Sequence, residues 1–335
     1  MVTIKAIAER CGCSPATVSK ALNGAPDVGH EMVRKIRAAA AEMGYIPNAA
    51  ARALKTARTY SFGVLFKENS QAGLAHEFFS LMLNGFKSRA EELGYDISFV
   101  SSRLGSREVT YTEQARYRNY DGVAIITAIF DEPQVRELAE SGIPTVTVDY
   151  EYNGCGCVLS DNVRGMRDLV EYVYSMGHRR IAFIHGENTA VTRARVAGFY
   201  RTCAQLGISV PAGYVQPAVF HGPEASGEAT RRLMALEERP TCILYPDDVS
   251  YLGGLKAVEE MGLSIPEDVS AAGYDGVVMS QLLHPRLTTL RQEAALLGVK
   301  AAEELARAVS EGKSYLPGRV VIAGELIPGE TVRRL

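Results

Sequence analysis

The 335-residue chain predicts two architectures in tandem: a small all-α head of three short helices, then an α/β body of two lobes built on parallel, doubly wound sheets. Three observations lead there. Helix-start and helix-stop residues recur three times before Tyr45, at intervals that suit only short helices. From Ser61 onward, short β-branched runs alternate with helical patterns, the mark of βαβ units. About 270 residues of that pattern exceed one compact doubly wound sheet, so two lobes are expected.

In chain order, Thr3 caps a helix whose apolar positions Ile4, Ile7 and Ala8 recur at helical spacing, and Gly12 stops it. Ser14 caps a second helix. Pro15 sits in its first turn, where the missing N–H costs nothing, and the helix runs to about Leu22 before Asn23-Gly24. A third runs from about His30 to Met43, with Met32, Val33, Ile36, Ala40 and Met43 as its apolar stripe and Gly44 at its end. After Tyr45-Ile46-Pro47 comes NAAARALKTART, rich in helix formers and cations but poor in apolar positions. It reads as a linker that is helical only conditionally. The boundaries expected are a head over 1–46, a linker over 47–59 and a body over 60–335. In the body, SFGVLF, DISFVSS, DGVAIIT, PTVTVD, CVLSD, RRIAFIHG, TCILYP and VSAAGYD are the strand candidates. No repeat of fixed period and no low-complexity segment interrupts them.

Charge divides along the same boundary. Residues 1–58 hold nine Lys/Arg against four Asp/Glu, a net of +5, which leaves −8 for the rest of a chain whose total is −3. A basic module on an acidic body implies a polyanion partner for the module alone. No apolar run approaches the roughly 18–20 residues that cross a bilayer. Glu9 and Arg10 stand where a secretory signal would need its apolar run, so a cytoplasmic protein is expected. The six cysteines are too sparse for a disulfide scaffold. Two pairs at C-x-C spacing, Cys11/Cys13 and Cys155/Cys157, have no His or further Cys at finger-like spacing. They read as reduced, buried thiols, with thiolate metal ligation the alternative.

The stretch CGCSPATVSKALNG assigns the head a task. An α-helix fits the DNA major groove, its first residues reach base edges, and short hydroxyl side chains with helix-end N–H groups hold phosphates. Pro15, Ala16 and Lys20 are placed to face the groove, Ser14, Thr17 and Ser19 to touch the backbone, and Val18 and Leu22 to anchor inward. A three-helix packing unit without nucleic acid is the alternative.

VTIKAIAERCGCSPATVSKALNG followed by GYIPNAAARAL closely resembles the N-terminal module of the lactose-repressor (LacI/GalR) family of bacterial transcription regulators. GHRRIAFIHG, RVAGF, SIPEDVSAAGYDG and LTTLRQE resemble that family's core segments in order, so the resemblance spans essentially the whole chain. It implies a helix-turn-helix DNA-binding head, a hinge helix, and a two-lobe, periplasmic-binding-protein-like effector domain. Pro15 and Ala16 match positions that read bases, with Lys20 a later one; Ser14, Thr17, Ser19 and Asn23 match phosphate contacts. Thr3, Asn48 and Ala51 join the implied DNA-binding set. Pro47 to Leu54 match the hinge that coils on operator DNA, and Leu54 matches the leucine wedged into the minor groove. Cys11 and Cys13 depart from the usual Ala and Val, and the small Ala16 favours contact with a thymine methyl.

In the body, carboxylates stand at strand ends: Asp149, Asp161, Asp247, Asp248 and Asp275. Arg195 is expected at the start of the helix RVAGF. Paired acceptors and a forked donor suit vicinal hydroxyls. The resemblance implies effector contacts at Arg195 and Asp275, and then at Asp149, Asp247 and Phe78. Asp161 has helix capping as its alternative, and Phe78 core packing rather than stacking on a ligand ring.

No G-x-S-x-G elbow, Walker A loop, G-x-G-x-x-G fingerprint or H-E-x-x-H pair occurs. An enzyme is not expected, and neither is a cofactor. A sugar-binding protein of a transport system shares the two-lobe body but would carry an export signal in place of a basic head. The expected protein is therefore an allosteric regulator, a repressor, that binds pseudo-palindromic double-stranded operator DNA as a homodimer under control of a small effector, a sugar or sugar derivative. A terminus without heptads, at Arg333-Arg334-Leu335, argues against a tetramer-forming coiled tail.

Overall fold

The computed structural model describes residues 2–22, 24–46, 58–67 and 73–335. The chain divides into two compact units, Met1–Thr59 and Tyr60–Leu335.

In the first unit, α1 (Ile4–Cys11) begins where the Ala6 N–H donates to Thr3 Oγ1 at 3.3 Å, and it ends at Gly12 with φ +67°. Only a residue tolerant of the left-handed region closes a helix so tightly. Helix α2 (Pro15–Leu22) starts under Ser14, whose Oγ accepts from the Thr17 N–H at 3.1 Å. Helix α3 (His30–Glu42) has no side-chain cap, and its end is closed by Met43. Ile7, Ala8 and Cys11 meet Val18 and Ala21 and then Ile36, Ala39 and Ala40 in one buried cluster, with Leu22, Met32, Val33 and Tyr45 around it. Ile7, Val18 and Ile36 are wholly buried, each worth about 1.5–3 kcal/mol. A head this small depends on all three.

The body holds two six-stranded sheets. The first lobe runs β1 (Ser61–Phe66), α4 (Glu77–Glu92), β2 (Asp96–Phe99), a small hairpin β3–β4 (Arg103–Leu104 and Arg107–Glu108), α5 (Tyr111–Arg118), β5 (Gly122–Thr127), α6 (Pro133–Glu140), β6 (Thr145–Val148) and β7 (Gly156–Ser160). The second runs α7 (Asn162–Ser175), β8 (Ile181–His185), α8 (Ala190–Gln205), β9 (Val215–Pro217), α9 (Pro223–Met234), β10 (Cys242–Leu244), α10 (Asp248–Glu260), β11 (Ser270–Asp275), α11 (Val278–Leu282) and β12 (Thr288–Arg291). The chain then returns to the first lobe through α12 (Ala294–Glu311) and β13 (Arg319–Ile322), and ends in the second with β14 (Glu325–Ile327). Sheet orders are β13-β7-β6-β5-β1-β2 and β14-β12-β11-β10-β8-β9. Every pairing within them is parallel except β12 with β14.

Two lobes are as expected, but they are not successive: the chain crosses between them near Asp161, Gln292 and Gly324. Sequence patterning reads each βαβ unit locally and does not say which sheet a late strand joins.

Both faces of the central strands are covered, which is why β5, β6, β10 and β11 read as continuous apolar runs. Along β5, Ala124 and Ile126 join the core beneath α4 and α12, while Val123 and Ile125 join the one beneath α5 and α6. Helices α4 and α12 touch backbone to backbone: a Cβ on Gly298 would stand 1.9 Å from the Met82 carbonyl oxygen, and one on Gly85 2.1 Å from that of Ala295.

One helix start is corrected. Thr189 Oγ1 accepts from the Thr192 N–H at 3.2 Å, so α8 begins at Ala190 and Arg195 lies in its second turn. That raises its side chain onto a buried face instead of leaving it at the helix mouth.

Candidate functional site

On the head, Pro15, Ala16 and Lys20 are exposed on α2 while Val18 is fully buried. Ser14 Oγ lies 2.9 Å from Thr17 Oγ1, and Thr3 is exposed at the start of α1. Lys20 is ion-paired with Asp27, and that hydrogen bond holds the Asp27 carboxyl below its usual value. Lys35 Nζ donates to the Cys11 carbonyl at 3.0 Å, placing a cation at the negative end of α1. Asn23, Asn48, Ala51 and Leu54 lie outside the described residues.

In the body, a cavity of about 330 Å³ opens between the lobes. Its walls come from strand C-termini and the segments that follow them: Lys67 after β1, Thr127 at the end of β5 with Ala128 to Asp131 after it, Asp149 and Tyr150 after β6, Glu187 to Val191 after β8, Phe220 and His221 after β9, and Asp275 at the end of β11. Parallel sheets converge loops and helix N-termini at that edge.

Arg195 lies at the centre of this site, 4% exposed. Its Nε donates to Asn162 Oδ1 at 2.8 Å and its Nη1 to the Pro246 carbonyl at 2.7 Å, and the guanidinium carbon lies 3.5 Å from the centre of the Tyr274 ring. Two of its five donors are thus committed to holding the fork still, and the residue lines the cavity.

The carboxylates around it differ in what they are free to do. Asp149 accepts from the Ser160 N–H at 2.6 Å and lies 3.2 Å from Ser160 Oγ. Asp275 accepts from Gln292 Nε2 at 2.7 Å. Burial pushes both carboxyls above the usual range, and Arg195 opposes the rise. Asp248, buried beneath, is pushed well up by burial and then by Asp275; it accepts from Thr289 Oγ1 at 2.6 Å and the Val277 N–H at 2.9 Å.

Asp247, expected at the ligand, is 1% exposed and does not line the cavity. It accepts from the Ser250 N–H at 2.7 Å and the His221 N–H at 2.9 Å, and its Oδ1 lies 3.5 Å from His221 Nδ1. Burial raises its pKa, but these hydrogen bonds outweigh it and hold the carboxyl below its usual value. Asp247 therefore caps α10 and positions His221. Asp161 is likewise a cap: it accepts from the Arg164 N–H at 3.1 Å and lies outside the main cavity.

Phe78 lines the cavity and also packs in the first-lobe core, so both readings of it describe the same side chain. Other aromatic walls went unread in the sequence, namely Phe79, Phe220 and the stacked pair Phe130 and Tyr150, whose rings lie 4.4 Å apart and 3° from parallel. Asp149, His221 and Asp275 have φ of +55°, +54° and +98°. Left-handed backbone at non-glycine residues costs of order 1–3 kcal/mol and collects where a site requires it.

Residues 3–48 match the bacterial regulatory proteins of the lacI family, and residues 170–332 match the periplasmic binding protein-like domain. The HTH-type transcriptional repressor PurR of Escherichia coli O1:K1 / APEC is 30% identical over 307 residues, covering 90% of this chain and 88% of the relative. The chain belongs to the LacI family. Among solved structures, the Lac repressor dimer bound to operator and the anti-inducer ONPF matches with a TM-score of 0.81 at 26% identity, covering 99% of each chain. A complex of the transcriptional regulator CelR with cellobiose matches at 0.73 and 25% identity, covering 99% of this chain and 100% of that one.

As a LacI-family member, the protein is a helix-turn-helix transcriptional regulator that binds operator DNA and a small-molecule effector, and it is not an enzyme. No helix among the described residues is long and apolar enough to cross a membrane. The C-x-C pairs join no group of three potential metal ligands among the described residues. Burial pushes the Cys155 and Cys157 thiols up to about 11, so both are protonated near neutral pH.

Proposed function

We propose that this LacI-family regulator is a cytoplasmic homodimeric repressor whose effector is a sugar or sugar derivative, bound in the cleft by Arg195, Asp149 and Asp275 against the Phe78 wall. The arrangement of Arg195 carries this reading: a guanidinium locked by Asn162 and Pro246 shares the cavity wall with two buried carboxylates, Asp149 and Asp275, whose charge it favours. That set offers donors and acceptors together, as neighbouring hydroxyls require. The cavity, about 330 Å³, is at the small end of the about 300–1,000 Å³ usual for ligand pockets. It suits a monosaccharide-sized ligand with one face on an aromatic ring. The CelR regulator solved with cellobiose supports a sugar.

On DNA, Pro15, Ala16 and Lys20 read bases, Ser14, Thr17, Ser19 and Asn23 hold phosphates, and Thr3 joins them at the interface. One three-helix head makes few contacts, so two heads on a pseudo-palindrome are needed for tight, specific binding. Residues 1–46 form the reading head and 60–335 the sensor. The linker over 47–59, with Asn48, Ala51 and Leu54, coils when duplex is present, so folding and binding are coupled. Leu54 wedges a base step at about a few kcal/mol of unstacking, offset by closer approach.

The test is a thermal-shift screen of monosaccharides, sugar phosphates, uronates and nucleobases, followed by operator titration with each hit. A sugar-class hit that changes operator affinity is expected. Hits confined to nucleobases would overturn the effector class. Operator binding that shows no preference for inverted repeats would overturn the DNA reading.

A further inference from the structure

Two histidines and one carboxylate converge where the lobes meet. His76 immediately precedes α4 in the first lobe; His221 follows β9 and Asp275 ends β11 in the second. One ligand atom from each lies within 4.8 Å of the others, and the two imidazole rings are 3.6 Å apart, centre to centre. His76 is 5% exposed and Asp275 8%. We propose that His76, His221 and Asp275 form a binding site for a divalent first-row transition ion of the zinc class, and that the ion clasps the two lobes together. His221 and Asp275 also line the effector cleft, so the ion adjoins whatever effector binds there, and its titrations are made without effector.

The donor set matches the ion. Two imidazoles and a carboxylate suit borderline metals such as zinc and leave positions for water or another oxygen ligand. Bonds of about 2.0–2.2 Å set donors about 3–3.5 Å apart around a tetrahedral ion, inside the 4.8 Å within which the three donors already lie.

The outer shell is already built. Asp247 Oδ1 lies 3.5 Å from His221 Nδ1, and Asp247 also accepts from the His221 N–H at 2.9 Å, so a carboxylate stands beside this imidazole as it does beside metal-bound histidines. Gln292 holds Asp275 Oδ1 at 2.7 Å. Beside the triad, Glu77 accepts from the Val278 N–H through both carboxylate oxygens, at 3.0 and 3.1 Å, so the lobes already touch at the next residue along α4. A bound ion favours the lobe arrangement that brings its three ligands together and disfavours any other. By linkage it must shift operator affinity if the head senses that arrangement.

The experiment uses chelator-treated full-length protein titrated with Zn²⁺ by calorimetry and with Co²⁺ by visible spectroscopy. One ion per chain is expected, with the d–d bands of low-coordinate nitrogen and oxygen ligation. His76→Ala and His221→Ala should each weaken binding at least tenfold and abolish the rise in melting temperature that Zn²⁺ gives the wild type. If either variant fails to fold by circular dichroism, the Co²⁺ spectrum of the wild type still decides. Absence of stoichiometric binding, thiolate-to-cobalt charge-transfer bands, or unchanged affinity in both histidine variants would overturn the site.

Discussion

Replacing Arg195 by alanine tests the physical centre of the cleft. The substitution deletes two hydrogen bonds from a charged donor, to Asn162 and Pro246, at 2.8 and 2.7 Å. Such bonds are worth about 1.5–3 kcal/mol each, and removing the cation from buried carboxylates typically costs about 3–5 kcal/mol in all. For a body of this size that is a fall in Tm of about 6–20 °C. The loss should depend on pH. Asp149 and Asp275 already titrate above the usual carboxylate value because they are buried, with Arg195 restraining them. A carboxyl raised in the folded state contributes stability that is intact below its unfolded pKa and lost as pH rises through its folded pKa. Without Arg195 both values climb further, so the variant suffers most near neutrality and recovers on acidification. Each proton taken up returns up to about 1.4 kcal/mol per pH unit. Urea denaturation of both proteins at pH 7.5 and pH 5 measures this. A stability gap that is the same at both pH values, or below about 1 kcal/mol at pH 7.5, would refute the view that Arg195 neutralises the buried pair.

Ile36→Ala opens a cavity in a head core with three wholly buried branched side chains. It should cost about 2–5 kcal/mol and abolish operator binding, while a screening hit still raises the melting temperature of the body. Gly298→Ala sets a Cβ 1.9 Å from the Met82 carbonyl. Prying α4 from α12 should cost at least about 1–3 kcal/mol, visible as a lower urea midpoint. Lys20→Ala should relax base preference at one operator position by about 1–3 kcal/mol, measured by titrating operator variants changed at single base pairs.

Where a signal was local, the sequence carried it. Thr3, Ser14 and Gly12 specify helix ends within a few residues, and each cap is present in the structure. The β-branched runs named most of the strands that are buried on both faces, and with them the exposed edge strand β2, but not the buried β12. The return of α12 and β13 to the first lobe is a long-range packing choice with no local mark, and the short β9 and β14 lack the apolar run that would reveal them. In the site, Arg195 and Asp275 were legible through the flanking motifs RVAGF and SAAGYDG. The role of Asp247 was not, because a carboxylate after a strand and before a helix looks the same in sequence whether it faces a ligand or caps the helix. His76 and His221 stand 145 positions apart and meet only because opposite lobes face each other across the cleft.

The same geometry explains how a modest ligand can operate a switch of this kind. Both lobes line the cavity, the chain crosses between them at three places among the described residues, and Glu77–Val278 and His76–His221 bridge them directly. The lobe cores are separate clusters, each sealed between its own sheet and helices. A change in the angle between lobes therefore disturbs the few bridging contacts and leaves the cores intact. Allosteric coupling needs only about 1–3 kcal/mol, the scale of one or two buried polar contacts. An effector that touches Asp149 on one lobe and Arg195 and Asp275 on the other supplies that difference through contacts available in only one arrangement. A ligand held by one lobe alone would bind without signalling.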